Sequence, residues 1–397
     1  MTSLDRLTAA NEIAVTEPGS GSHTRLVPGV AARYAESGHL LYLTSEGTLM
    51  GVGFDQDQLQ VVGTPVPLIE GIVPLGAFAD AELTLSATGT LWYSTGGLPS
   101  HVEPVWVTRQ GVATPVDTAW RGDINYPALS PDGTRVAYSV RTGITTQLWV
   151  KRLDRGTPTI FERTGEVNYR PAWSTEGTSI AWISDRGVES NVYTKPADQA
   201  TEARLLFTSG RLGPVFEVVH APTGGWVIVR TEPEGSDIHA IRPGVDSAAI
   251  PLAATAVSER TPILSPDGRW LAYASDQTGR YEVYVRPFPN VTDAVWQVST
   301  EGGSLPRFSR SGGELFYVSA ADELQAVTVA PGTTFTWGEP TTLFSLAGYR
   351  MPINGRSFDI APGDQRFLML RVIEGGAVDQ VVVVENFLEE VKRKVPR

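Results

Sequence analysis

The sequence predicts an all-β fold, and three observations support this prediction. The chain has 397 residues with 40 glycines and 28 prolines while 41% of it is hydrophobic, a composition typical of many short strands joined by tight turns. A pattern of the form Ser-x-x-Gly followed by an apolar pair recurs along the chain. The strands that follow these turns are apolar on both alternating faces, so each predicted sheet needs cover on both sides.

The recurring turn defines a repeat. Its clearest copies are LSPDGTRVAYSV, which begins at Leu129, and LSPDGRWLAYAS, which begins at Leu264. Eight copies follow one another at intervals of 44 to 52 residues, and each reads as four short strands. The turn positions of the copies are Gly38, Gly89, Gly133, Gly177, Gly224, Gly268, Gly312 and Asp364. A period of this length is typical of a ring of four-stranded sheets that pack face to face.

We therefore predict an eight-bladed β-propeller of four-stranded antiparallel blades. Seven blades are the alternative, because the repeat around His220 is degenerate. Residues 1–397 are predicted to form a single propeller domain. Within it, residues 1–30 are the closing segment, residues 31–384 the repeats and residues 385–397 a helical tail.

The two ends of the chain carry the predictions on ring closure. The last repeat offers only three strands, so a strand from the N-terminal segment, either NEIAV or HTRLV, is predicted to complete the last blade. The tail ENFLEEVKRKV is predicted to form a short helix that covers an edge or a face. Its apolar side is formed by Phe387, Leu388, Val391 and Val395.

Charge and composition exclude several classes of function. The net charge is −12 and only four of the 32 basic residues are lysine, so we expect no nucleic-acid partner. The chain contains no cysteine, which excludes thiol chemistry and cysteine-ligated metals. No apolar run approaches the length of a membrane span, and we expect no membrane insertion by this chain and a monomeric state.

Single acidic residues and histidines have structural interpretations. Asp132 and Asp267 occupy the predicted turns, where aspartate caps its own backbone. The five histidines are scattered over different repeats without a metal-binding spacing. We therefore expect no metal site, no cofactor and no catalytic residue that the sequence can identify.

The candidate ligand-binding residues lie just before the first strand of each repeat, because these connections surround one entrance of a propeller channel. The sequences YPALS, RPAWS, TPILS and LPRFS align on a shared proline. The residues that they place at this entrance are Asp123, Asn125, Tyr126, Asn168, Tyr169, Arg170, Glu259, Arg260, Ser304 and Arg307. This mixed-charge set could bind a peptide carboxylate, a sugar or a partner loop. Alternatively, the groups pair with one another and with channel water.

Several phrases of the sequence resemble the TolB-type, WD-like propeller repeat of bacteria. YAESGHLLYL, SPDGRWLAYASDQTGRYEVYVRPFP, WQVSTEGGSLPRFSRSGGELFYVS and VVVVENFLEEVKR are most similar to the C-terminal propeller region of bacterial serine/threonine protein kinases. The kinase domain itself is absent, because the chain has no His-Arg-Asp loop, no Asp-Phe-Gly and no Gly-rich phosphate loop. This resemblance implies a propeller fold and a sensory or protein-binding role.

Two functions remain open at this point. The first is a non-catalytic propeller that binds a protein, a peptide or a cell-wall fragment, as the sensory or interaction region of a bacterial signalling or envelope protein. The second is a propeller lyase or hydrolase with its active site in the axial channel. The first is preferred, because the first strands supply mostly alanine, leucine, proline and aromatic residues. The expected compartment is extracytoplasmic if the chain is a fragment of a membrane-anchored protein, and cytoplasmic if it is complete.

Overall fold

The structure is a computed structural model, and its contacts group the chain into two compact units. It describes residues 12–16, 23–44, 47–72, 74–75, 80–81, 83–86, 88–95, 101–142, 145–154, 156–165, 167–186, 190–232, 236–351, 355–374 and 380–396. The smaller unit comprises Met1–Ser100, Thr142–Thr145 and Glu374–Arg397. The larger unit comprises His101–Arg141 and Thr146–Ile373. The single domain predicted for residues 1–397 stays a prediction.

The smaller unit is built from short strands and one helix. Its elements are β1 (Glu12–Thr16), β2 (His23–Pro28), β3 (Ala31–Ala35), β4 (His39–Leu43), β5 (Leu49–Asp55), β6 (Gln60–Ile69), β7 (Pro74–Leu75), β8 (Asp80–Ala81), β9 (Leu83–Leu85), β10 (Leu91–Thr95), β35 (Gln380–Val384) and α1 (Phe387–Lys394). The strands β3 to β6 form a four-stranded antiparallel sheet, and β9, β10 and β35 form a three-stranded sheet. The strands β1 and β2 pair with each other, as do β7 and β8.

The C-terminal helix packs onto the core of the smaller unit. Phe387 and Val391 are buried in a cluster with Leu41 and Leu91, from β4 and β10. On the exposed side, Glu390 and Lys394 form an i,i+4 ion pair at 2.6 Å. The predicted helix is confirmed. It is eight residues long, and within the described ranges no helix has the length and hydropathy of a membrane span.

The larger unit contains the remaining strands. They are β11 (His101–Thr108), β12 (Ala113–Pro115), β13 (Ile124–Leu129), β14 (Arg135–Thr142), β15 (Thr145–Arg152), β16 (Thr159–Glu162), β17 (Asn168–Trp173), β18 (Ser179–Ser184), β19 (Asn191–Pro196), β20 (Arg204–Phe207), β21 (Val215–His220), β22 (Val227–Thr231), β23 (Asp237–Ile241), β24 (Ile250–Ala253), β25 (Glu259–Leu264), β26 (Trp270–Ser275), β27 (Glu282–Pro287), β28 (Trp296–Gln297), β29 (Gly303–Phe308), β30 (Glu314–Ser319), β31 (Glu323–Thr328), β32 (Thr341–Ser345), β33 (Asp359–Ile360) and β34 (Arg366–Glu374). A 3-10 turn spans Gly210–Leu212.

Among the described residues, these strands form six four-stranded antiparallel sheets, which we number as blades in chain order. Blade 1 is β13–β16, blade 2 is β17–β20, blade 3 is β21–β24, blade 4 is β25–β28 and blade 5 is β29–β32. Blade 6 has the strand order β33, β34, β11, β12. The first strands of blades 1 to 5 contact one another in succession, and β13 also contacts β33 of blade 6. These contacts place the first strands around one axis.

Hydrophobic clusters between neighbouring blades hold the ring of the larger unit together. In blade 4, Trp270 packs toward blade 5, whereas Leu271 on the opposite face packs toward blade 3. Leu368 of blade 6 shares a cluster with Leu129 and Val136 of blade 1, which closes the ring. Strands that are apolar on both faces are therefore covered on both faces, as the sequence predicted.

The all-β class, the four-stranded antiparallel blades and the short C-terminal helix are confirmed. The grouping of the repeats differs from the prediction, because the six copies from Gly133 to Asp364 close among themselves in the larger unit. That ring has six blades where eight or seven were predicted. The copies at Gly38 and Gly89 form sheets of the smaller unit.

The closing strand is also corrected. NEIAV and HTRLV form the β1–β2 pair, and blade 6 is completed by β11 and β12. The physical reason is that β11 and β12 directly precede β13, so they join the last blade of this ring to the first. Val102, Val105 and Val107 of β11 are fully buried by this arrangement.

The repeated turns follow the predicted local chemistry. The Asp132 carboxylate accepts hydrogen bonds from the Ser130 hydroxyl and, at 3.0 Å, from the Thr134 backbone N–H. Asp267 accepts the equivalent bonds from Ser265 and Arg269. These hydrogen bonds stabilise the turns that join the first two strands of blades 1 and 4.

Candidate functional site

A β-bulge interrupts the first strand in four of the blades, and it falls at the aligned proline. The pairing register shifts there in blades 1, 2, 4 and 5. The residue before the proline has a positive φ, which is 52° at Tyr126, 55° at Arg170, 53° at Thr261 and 52° at Leu305. Proline lacks the N–H that a strand ladder needs, so it is tolerated at bulges and edge strands. A non-glycine residue in this conformation costs on the order of 1–3 kcal/mol and is concentrated at functional sites.

The bulged residues line one cavity on the axis of the larger unit. Equivalent positions of the six blades contribute Tyr126, Arg170, Glu217, Thr261, Leu305 and Ser357. The cavity volume is about 40 Å³, which is room for roughly three water molecules. The four bulges therefore turn the side chains of Tyr126, Arg170, Thr261 and Leu305 toward a space that fits a small chemical group.

Arg170 is fixed by stacking. Its guanidinium lies over the ring of Tyr126 at 4.9 Å and over the ring of Tyr169 at 5.5 Å, and it donates a hydrogen bond to the carbonyl of Phe216. Gly355 lies against this stack, because a Cβ at that position would be 3.1 Å from both Arg170 Cζ and Tyr126 Cε1. A side chain at position 355 would therefore displace Arg170 or Tyr126.

Two further arginines, Arg307 and Arg356, line the same cavity. Burial lowers the pKa of Arg307 to about 9, and the positive charge of Arg356 acts in the same direction. Burial also lowers the pKa of Arg356, an effect that the neighbouring Asp359 carboxylate opposes. Both guanidinium groups remain charged at neutral pH in surroundings that disfavour the charge.

The carboxylates near the cavity are already engaged. Glu217 accepts hydrogen bonds from Arg230 Nε at 2.7 Å and from the Thr261 backbone N–H at 2.9 Å. Asp359 accepts the Leu129 backbone N–H at 2.9 Å and pairs with Arg356 at 3.7 Å. Burial alone would raise the pKa of Asp359, but the neighbouring guanidinium groups outweigh burial and hold it below its usual value.

The charges around the cavity do not balance. Glu217 pairs with the fully buried Arg230, which also pairs with Glu232. Three arginines, Arg170, Arg307 and Arg356, therefore face only the two carboxylates of Glu217 and Asp359. Within the residues that the structure describes, no group of three histidine, aspartate or glutamate side chains could hold a metal ion. The arrangement can attract an anionic group by electrostatics and hydrogen bonding.

Three of the ten predicted entrance residues, Tyr126, Arg170 and Arg307, line the cavity, and Tyr169 stacks on Arg170 behind it. Asp123 is held by Arg350 at 2.5 Å and by Arg141 at 2.8 Å, and Asn125 donates to it at 3.1 Å. These two polar groups pair with their neighbours at the end of β13. They do not reach the cavity.

The other predicted residues lie in different surroundings. Asn168 is fully buried and accepts a hydrogen bond from Trp182 Nε1 at 3.0 Å. Glu259 is buried, accepts a 2.6 Å bond from the Thr255 hydroxyl, and has its pKa raised by burial. Arg260 donates to the Ser258 hydroxyl at 2.9 Å and lies over the ring of Tyr281 at 5.1 Å. None of the three lines the cavity.

The sequence did not identify Glu217, Arg356 or Asp359. In blade 3 the residue after Glu217 is valine, so the shared proline is missing there, and in blade 6 the turn letters are permuted. The sequence of blade 6 nevertheless contains a pattern that could have identified Arg356. Aligning SFDIA with TPILS places Ser357 at the position of Thr261 and Arg356 just before it.

Comparisons with known proteins agree with this fold. A TolB structure from Agrobacterium tumefaciens superposes with a TM-score of 0.56 at 19% identity, covering 69% of this chain and 99% of its own. TolB from Acinetobacter baumannii gives a TM-score of 0.45 at 15% identity, covering 76% of this chain and 81% of its own. The periplasmic gluconolactonase PpgL from Pseudomonas aeruginosa gives 0.45 at 17% identity, covering 72% and 96%. At these identities only the fold is shown, and only the first similarity is strong enough to support it.

A search among curated proteins finds no match to the chain. A family model does match the part of the larger unit that runs from the closing strand β11 into blade 4. Residues 109–283 of this β-propeller chain match the TolB beta propeller domain.

Proposed function

We propose that the larger unit is a non-catalytic recognition module whose axial cavity receives part of a protein or peptide partner. The observation that supports this most directly is the set of positive-φ bulges, which turn Tyr126, Arg170, Thr261 and Leu305 toward one cavity. Backbone strain repeated in four blades at the same position is hard to explain by stability alone. A rigid ring with shaped side chains at its axis is suited to binding with little rearrangement.

The state of the carboxylates favours binding over the lyase or hydrolase alternative. Glu217 and Asp359 are held by Arg230 and Arg356, and the pKa of Asp359 is below its usual value. A general acid requires a carboxyl group that keeps its proton near neutral pH. The arginines of this cavity are suited to binding and orienting an anionic ligand and not to acid catalysis.

The cellular role that we propose is that of a sensory or interaction region in a bacterial signalling or envelope protein, with a protein, a peptide or a cell-wall fragment as its partner. The resemblance to the propeller regions of bacterial serine/threonine protein kinases and the match of residues 109–283 to the TolB beta propeller domain support this context.

The test is retention of a partner on the immobilised full-length chain, with a bacterial envelope extract as the source. The wild type is compared with a Tyr126→Ala, Arg170→Met double variant and with Arg152→Gln, which removes an exposed arginine at the end of β15. We expect a protein or peptide that the wild type and Arg152→Gln retain and the double variant loses. Equal retention by all three chains, with circular dichroism confirming their fold, would exclude the axial cavity as the partner site.

A further inference from the structure

We infer that the axial cavity of the larger unit is a carboxylate site, which holds a C-terminal carboxylate or an Asp or Glu side chain of the partner between Arg307 and Arg356. This inference rests on the proposed function and names the chemical group that the cavity recognises. It follows from three properties of the cavity: donors without protein acceptors, an excess of positive charge, and size.

The first property is the hydrogen-bonding state of Arg307. A guanidinium group carries five N–H donors and no acceptor. In the part of the chain that the structure describes, no carbonyl or carboxylate accepts a hydrogen bond from Arg307, although this side chain lines the cavity. Donors that remain open in a partly buried site favour a ligand that brings acceptor atoms.

The second property is charge. The chain as a whole has a net charge of −12, yet three arginines line its axial cavity against the two carboxylates of Glu217 and Asp359, and the charge of Arg230 beside Glu217 is shared with Glu232. Arg356 pairs with Asp359 at 3.7 Å, which is longer than a direct hydrogen bond. One arriving anionic group would neutralise the excess charge and accept hydrogen bonds from both Arg307 and Arg356.

The third property is the size and lining of the cavity. Its volume of about 40 Å³ fits roughly three water-sized atoms, which is the size of one carboxylate. Phosphate has five heavy atoms and requires more donors. Apolar walls from Val218, Leu305 and Phe358 surround the polar part, and they suit the aliphatic carbon that carries a carboxylate.

The test measures binding of short peptides by isothermal titration calorimetry. The probes are acetyl-trialanine with a free C-terminus, the same peptide as its amide, an amidated acetyl-Ala-Glu-Ala, and its Gln counterpart. Inorganic phosphate is the fifth probe. We expect the free-acid peptide or the Glu peptide to bind, and the two uncharged peptides to bind at least roughly tenfold more weakly, the loss expected from charge-assisted hydrogen bonds. Which of the two acids binds identifies the source of the carboxylate.

Arg307 variants link this binding to the cavity. Arg307→Met is expected to lose roughly tenfold or more in affinity, whereas Arg307→Lys keeps the charge and retains part of it. The exposed-arginine control Arg152→Gln should bind as the wild type does. Equal binding of acid and amide peptides, unchanged affinity in Arg307→Met, or phosphate binding more tightly than either acid would each overturn the inference. Thermal unfolding of each variant shows whether it has folded.

The peptide-binding test of the carboxylate site and the partner-retention test of the proposed function can fail independently of each other. If the immobilised chain retains a partner that Arg307→Met retains equally, recognition at the axis stands and carboxylate recognition fails. If peptide acids bind but no partner depends on Tyr126 and Arg170, the carboxylate site stands and the proposed role fails.

Discussion

Replacing Arg307 by methionine should stabilise the larger unit in the absence of ligand. Burial lowers the pKa of Arg307 to about 9, and each pKa unit of such a shift corresponds to about 1.4 kcal/mol. The folded state therefore holds this charge at a cost on the order of a few kcal/mol. Because the folded-state pKa lies below the unfolded value, protonated Arg307 opposes folding at pH 7, and stability rises only as the pH increases above about 9.

Methionine recovers only part of this free energy, because its side chain must also fill the space of the guanidinium. Replacement of buried ionic groups by apolar groups of similar volume stabilises proteins by about 1–4 kcal/mol. A gain of about 2 kcal/mol corresponds to a rise of roughly 4–8 °C in melting temperature for a unit of this size.

The assay is calorimetry in Tris buffer without carboxylate or phosphate, with Arg307→Lys as the control that retains the charge. Arg307→Met should melt above the wild type, and Arg307→Lys should not. A melting temperature for Arg307→Met at or below that of Arg307→Lys would refute the reasoning that this arginine is held at a cost. A peptide acid that binds the cavity should raise the melting temperature of the wild type and leave Arg307→Met unchanged.

Three further predictions concern other parts of the larger unit. Glu259→Gln should raise the free energy of unfolding by about 1 kcal/mol at pH 7, because burial raises the pKa of Glu259. This gain should vanish as the pH falls below 4.5, where the carboxyl group is protonated in both states. Urea unfolding at both pH values measures the gain, and an equal gain at both would contradict the prediction. Arg230→Met leaves Glu217 buried without its ion partner and should cost about 3–5 kcal/mol, most of which a second change, Glu217→Gln, recovers in calorimetry. Removing residues 1–30 should leave amide exchange in β34 unchanged, whereas removing residues 1–116 should abolish protection from exchange there, since β11 is the neighbour of β34. Loss of protection in β34 after removal of residues 1–30 alone would instead support closure by an N-terminal strand.

The fold class was predictable because its signals are local. The turn around Asp267 and Ser265 uses side chains within a few residues of one another, and their order in the sequence determines the hydrogen bonds. Trp270 and Leu271 are adjacent apolar residues that point to opposite faces of their strand, which likewise indicates that both faces are covered. Repetition of such local signals is sufficient to predict the blades.

The closing strand was not predictable, because strand partners in a ring are chosen over long sequence separations. The segment HVEPVWVT of β11 has the composition of any outer strand, and NEIAV and HTRLV are equally apolar candidates. Each of these segments can offer the same backbone donors and acceptors to a neighbouring strand, so backbone hydrogen bonding does not distinguish them. The choice depends on which strand continues directly into blade 1.

The candidate site was predicted in part for a related reason. Aligning the prolines located the bulge, but it did not show which neighbour of the proline the bulge turns toward the axis. Tyr126 and Arg170 occupy the position before the proline and reach the cavity, whereas Asn125 and Tyr169 lie one residue earlier and do not line it. Glu217 escaped the alignment because blade 3 lacks the proline altogether.

The order of strands in blade 6 has a consequence for how this protein is made. A ribosome releases β11 and β12 first, yet their partners β33 and β34 appear some 250 residues later, which at ordinary elongation rates is more than ten seconds. Throughout that interval a valine-rich strand edge is open to pairing with other nascent chains. Synthesis of the last forty or so residues of the larger unit is thus the step at which this strand edge becomes paired, and slow translation before that point should increase the demand of the chain for chaperones.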